Sequence, residues 1–158
     1  MAVKWGMVVA RLELVTAMLN TTSERPKSVL IIEKQPNYTQ PLVKQLMFAG
    51  LNPLVAVTGE GGLRKAQEFH PDLILLELDL TDMNGLKFVA LLKEKPQLQK
   101  IPIVAMSIFA YLKTAALHGG CDDFLIKPVR MIDLMSHIKR YLRQGSSVPP
   151  PSADLRRA

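Results

Sequence analysis

Apolar residues 73–76 and Leu78 enclose a single carboxylate, Glu77, within the stretch PDLILLELDLTDMNG at 71–85. Turn signals at Pro71 and Asn84-Gly85 bound the run, which is the pattern of a strand buried on both faces. Shorter apolar runs at 29–32, 53–57, 101–106 and 123–126 predict four more strands. Between them, apolar residues recur at helical spacing. Residues 39–49 carry Leu42, Val43, Leu46 and Met47 on one face, with Pro41 in the first turn and Gly50 as the stop. Gly61-Gly62 opens a helix through Phe69, and 86–95, 111–118 and 131–142 complete the set. Strand and helix alternate throughout, so the pattern predicts an α/β fold, a five-stranded parallel sheet with helices on both faces. Right-handed crossovers then bring the carboxyl ends of the strands, and any site, to one rim.

Two flanking stretches differ in kind. Residues 1–19 are apolar but interrupted by Arg11 and Glu13, too short and too polar for a membrane span or a clean signal-peptide core. They read as a helix with Trp5, Val8, Leu12, Val15 and Leu19 on one stripe and Val3, Met7, Ala10 and Leu14 on a second. Such a helix either lies against its own domain or forms the seam of a homodimer. Translation from Met18 is a third reading. A polar linker at 20–26 completes an N-terminal unit of 1–27, a globular domain occupies 28–143, and the serine- and proline-bearing 144–158 reads as a disordered basic tail.

Composition narrows the function classes. A chain of 158 residues, 48% apolar and 22% charged, holds one core and not two. The lone Cys121 excludes an internal disulfide and a cysteine zinc site, and His70, His118 and His137 lack metal-ligand spacing, so a reducing cytoplasm is the default. Cys121 and the methionines at 83, 106, 131 and 135 read as core filler. The net charge of +6 is scattered from Lys4 to Arg157, the mark of a solvated surface rather than a nucleic-acid footprint.

The predicted strand ends converge on Glu33-Lys34, Glu77, Ser107 and Lys127-Pro128. The motifs VLIIEKQP, HPDLILLELDLTDMNG, IPIVAMS and GGCDDFLIKP, in this order, resemble the receiver domains of response regulators in two-component signalling, over about residues 28–143. That resemblance implies a flavodoxin-like, CheY-type fold. It also implies Mg²⁺ held by an acidic pair after the first strand and by an Asp ending the third. That Asp takes a phosphoryl group from a histidine kinase, a Ser or Thr after the fourth strand bonds the group, and a Lys before Pro pairs with it. Only the last two are kept here, as Ser107 and Lys127.

At the other positions the chain departs from the pattern. The acidic pair reads Glu33-Lys34 and the phosphoacceptor position holds Glu77. Mg²⁺ demands near-ideal octahedral oxygen geometry at about 2.1 Å, so a cation at Lys34 replaces a ligand with repulsion. Lys34 is expected to stand in electrostatically for the metal, with Glu77 as the charge partner of Lys127 and Ser107 able to bond the same carboxylate. The extra methylene of Glu77 misplaces the attacking oxygen, which costs about a hundredfold where transfer depends on positioning. Ile108 is expected to narrow the pocket, and Phe124, at the family's aromatic switch position, offers a packing switch without a hydroxyl. The expected protein is a stand-alone receiver with no catalytic residue, metal or cofactor, working by contact with a histidine kinase or an output partner. The alternative is phosphorylation through the divergent pocket at Glu77 or Asp79. Asp79 reads first as a solvated loop acid.

Overall fold

A computed structural model describes residues 25–144 and the single position Val9. The readings made for 1–19, for most of the linker and for the tail after Gln144 therefore lie outside the described residues. Chain order is β1 (Ser28–Ile32), α1 (Pro36–Phe48), β2 (Asn52–Ala56), α2 (Gly59–Phe69), β3 (Leu73–Glu77), α3 (Gly85–Lys93), β4 (Ile103–Ser107), a 3₁₀ turn (Ala110–Leu112), α4 (Lys113–His118), β5 (Asp123–Ile126) and α5 (Met131–Gln144). All strand pairs are parallel, in the order β2-β1-β3-β4-β5.

The period-two alternation of the strands assigns the two faces of the sheet. Val29, Ile31, Leu73, Leu75, Val104 and Met106 pack against Leu42 and Leu46 of α1 and Leu134, Ile138 and Tyr141 of α5. Leu30, Ile32, Ile74, Leu76, Ile103, Ala105 and Phe124 turn the other way, onto Ala66 of α2, Phe88, Val89 and Leu92 of α3 and Ala116 of α4. Strand β3 is buried along its whole length because it is central and covered on both sides.

Several element bounds differ from the sequence pattern, each for a local reason. Helix α1 starts at Pro36, not Thr39, because a proline fits the first turn and Gln35 is already extended ahead of it. Pro41 therefore lies inside the helix rather than in its first turn. Helix α2 starts two residues before Gly61. Thr58 caps it by accepting from the Gly61 N–H at 3.1 Å, and Asp82 accepts from the N–H groups of Gly59 and Glu60 at 2.8 and 2.9 Å. Those two bonds hold the Asp82 carboxyl below the usual carboxylate range. Strand β4 begins after Pro102, which has no N–H to donate, and runs on to Ser107. Strand β2 is shifted one residue earlier, with Pro53 tolerated because this strand is at the sheet edge.

Gly85 opens α3 with its backbone against the end of β3. A Cβ there would stand 2.6 Å from the Leu78 Cα, which is main chain and cannot swing away. Gly85→Ala is therefore expected to lower stability by about 1–3 kcal/mol, the usual cost of overpacking, as a reduced urea midpoint with an unchanged slope.

Candidate functional site

Register places the rim residues side by side. Ile32 pairs with Leu76, so Glu33 and Glu77 are the next residues on neighbouring strands. Both continue the parity of the α1/α5 face, and so does Lys127, two residues past Leu125. The Lys127 ammonium bonds a carboxylate oxygen of Glu33 and one of Glu77, and all three residues are buried.

The other two carboxylate oxygens are also occupied. Glu33 Oε1 accepts from the Gln35 N–H at 2.9 Å, and Glu77 Oε1 accepts from the Asp79 N–H at 2.9 Å. On its remaining side Lys127 meets the Tyr38 ring, with Nζ 4.1 Å from the centroid. Burial alone would lower the Lys127 pKa, but the hydrogen bonds and charges of Glu33 and Glu77 outweigh it, so the net shift is upward. No buried side-chain nitrogen or oxygen among the described residues lacks a partner. Behind Lys127 a cavity of about 50 Å³ is walled by apolar side chains including Ile31, Leu42, Met106 and Leu134.

Two expected roles at the rim need correction. Lys34 does not join the buried group. Its Nζ pairs with Asp79 at 2.8 Å at the surface, because it follows Glu33 by one residue and so points to the other side. The cation on Glu33 and Glu77 is Lys127 instead. Ser107 is fully buried but does not bond Glu77. It shares the parity of Ile103 and Ala105 on the opposite face, and its Oγ accepts from the Phe109 N–H at 3.1 Å, closing the turn after β4. Lys127 thus pairs with Glu77 as expected and with Glu33 as well, and Ser107 takes no part in the group.

Phe124 is buried in the α2–α4 face of the core. Ile108, beside Ser107 at the end of β4, is 62% exposed. Asp79 is a surface acid. Cys121 packs in the core, where burial first and then the Asp122 charge push its thiol up to about 12. His137 sets its Nδ1 2.8 Å from Asp123 Oδ2 and ties α5 to β5.

Tyr38 was missed in the sequence. The available signal was its place in the first turn of a helix that starts directly behind the rim loop. An ammonium over an aromatic face is worth about 0.5–2 kcal/mol. Tyr38→Leu should lose that amount in urea titration while Tyr38→Phe keeps it.

The metal that the resemblance implies does not fit these residues. Every carboxylate oxygen of Glu33 and Glu77 already accepts a hydrogen bond, and an ammonium lies between the two groups. A divalent ion would have to displace Lys127 from its two buried carboxylate partners.

A doubly covered parallel sheet in the order 2-1-3-4-5, with acids ending β1 and β3 and a lysine before proline after β5, is the architecture of a receiver domain. The family model "Response regulator receiver domain" matches residues 29–139, and the chain belongs to that family. The chain is 33% identical over 119 residues to the polar-differentiation response regulator DivK of Brucella ovis, covering 73% of this chain and 96% of that one. Among solved structures, a two-component response regulator from Clostridium difficile aligns at 29% identity with a TM-score of 0.70, over 75% of this chain and 97% of that one. The chemotaxis response regulator CheY4 of Vibrio cholerae shares the fold at 24% identity and a TM-score of 0.70, over 74% of this chain and 99% of that one. The protein is therefore a receiver of two-component signalling. Among the described residues no helix is long and apolar enough to cross a membrane.

Proposed function

We propose that this receiver signals by protein contact alone, with its rim held in one state by an internal ion triad and without the ordinary phosphorylation of its family. The observation that carries this reading is Lys127 bridging Glu33 and Glu77 where the family's pattern calls for a metal and a phosphoacceptor. Each oxygen of Glu77 already accepts a hydrogen bond, from Lys127 and from the Asp79 N–H, and no residue of the site is assigned a catalytic role. Glu77 is also a poor copy of a phosphoryl group, having one charge and two oxygens where a phosphoryl group has three.

The partners are signalling proteins of the same pathway, a histidine kinase or an output component. The exposed apolar side chains Ile108, Phe109, Tyr111 and Ile126 at the β4 and β5 ends give such a partner a surface to bind. Its apolar and aromatic composition favours proteins over nucleic acid.

Incubation of the full chain with acetyl phosphate and Mg²⁺ should leave its intact mass unchanged, and beryllofluoride should leave its amide spectrum unchanged. A stoichiometric phosphoryl adduct on Glu77 or Asp79 would overturn the proposal and establish a phosphorylatable regulator with a divergent pocket.

A further inference from the structure

At the opposite end of the sheet from the rim, a groove of about 750 Å³ runs around the outer edge of β2. Val43 and Met47 of α1, Leu51, Pro53 and Leu54 around β2, and Phe69 at the end of α2 form its walls. These walls are not closed over by the described chain. Met47 is 64% exposed and Phe69 47%, and Phe48 beside them is 93% exposed. Among the described residues strand β2 pairs only with β1, so this is a sheet edge as well as an apolar patch.

The same groove is where the N-terminal part of the chain arrives. Arg25 and Pro26 themselves line it. Arg25 is pinned there by Asp72, through an Nη1–Oδ2 contact of 2.9 Å, and Asp72 also accepts from the Ser28 N–H at 2.8 Å. Burial would raise the Asp72 pKa, but the bonds from Ser28 and Arg25 hold it below its ordinary value, so the anchor stays charged at neutral pH. Between this anchor and Leu19 lie only residues 20–24. Five residues extend at most about 3.3–3.6 Å each, so the tether is short and the groove is within reach of the segment before it.

That segment carries the apolar surface the groove lacks. Trp5, Val8, Leu12, Val15 and Leu19 recur at helical spacing and have no water-soluble purpose by themselves. Val9, the one described residue of the segment, is helical, 51% exposed and on neither of its apolar stripes.

We infer that residues 1–19 dock through their Trp5 stripe into the groove formed by α1, β2 and the end of α2 of the same chain. A short tether gives its own segment an effective concentration in the millimolar range, which a second copy at ordinary protein concentration does not match. Docking covers the exposed edge of β2 and leaves the rim and the β4–β5 surface free. This inference concerns the base of the sheet and does not depend on the rim being silent.

Trp5 is the only tryptophan, so its emission reports the segment directly. In the full chain its maximum should be blue-shifted from that of the urea-unfolded protein, and should not change on hundredfold dilution of a species that light scattering finds monomeric. Met47→Lys and Phe69→Lys, both at exposed positions, should each move the maximum toward the unfolded value while far-UV circular dichroism stays native. Emission equal to that of the unfolded chain would overturn the inference, since the segment would then lie in water. A blue-shifted maximum that reddens on dilution as a dimer dissociates would assign the stripe to a second copy. A blue-shifted, dilution-independent maximum that neither lysine variant moves, with the fold retained, would place the stripe elsewhere on the domain and overturn the groove as its seat.

Discussion

Lys127→Met should cost about 3–5 kcal/mol, a large share of the roughly 5–15 kcal/mol that holds a domain of this size together. The substitution keeps the length of the side chain and removes only its charge. Glu33 and Glu77 would then face each other in a buried site with no cation between them, and the penalty comes from those two stranded charges rather than from the lost bonds. Two further measurements separate this from simple loss of packing. Adding Glu33→Gln and Glu77→Gln to Lys127→Met should recover much of the lost stability, because a neutral trio has nothing to leave uncompensated. The pH dependence has a definite sign. The folded pKa of Lys127 is raised above its unfolded value of 10.5, so its contribution is fully present below that value and is lost as pH rises through the folded one. The stability gap between wild type and Lys127→Met should hold at neutral pH and narrow only in strong alkali. Urea titrations in which Lys127→Met matched wild type at neutral pH would remove the triad from any account of how the rim is held.

The double substitution Lys34→Asp with Glu77→Asp should create what the wild-type rim lacks, Mg²⁺-dependent phosphorylation by acetyl phosphate. The first change restores the second acid of the pair after β1, and also frees Asp79 from its surface partner. The second change shortens the side chain at the end of β3 by one methylene and draws its carboxylate away from Lys127. Positioning at that scale is worth about a hundredfold, so the variant should form the adduct at least roughly a hundredfold faster than wild type by intact mass. Neither single substitution should suffice. Glu77→Asp alone still lacks a metal ligand, and Lys34→Asp alone still has a misplaced nucleophile. Silence of the double variant in a folded, Mg²⁺-binding state would mean that the lysine bridge itself, and not the two altered side chains, keeps the rim closed.

Much of the architecture was legible in the spacing of apolar residues. The uninterrupted run at β3 declared a doubly covered central strand, and five alternations declared the parallel sheet. Element ends were less legible, because they depend on caps contributed from far away in sequence. Asp82 fixes the start of α2 from 22 and 23 residues downstream, which no local pattern reveals. At the rim the residues were identifiable but their pairing was not. Which of Lys34 and Lys127 lies between the two glutamates is decided by strand parity and register, and a one-residue difference in parity sends Lys34 to the surface and Ser107 to the opposite face. The Tyr38 contact depends on where α1 begins, which the sequence placed three residues too late.

A phosphorylated carboxylate is a mixed anhydride that water hydrolyses, so a receiver charged in that way would carry its own clock. Under the proposed function, a rim closed by a side chain of the same polypeptide has no such clock. The duration of any message passed through this protein would then be set by how quickly a partner leaves its surface, and its strength by how many copies the cell makes.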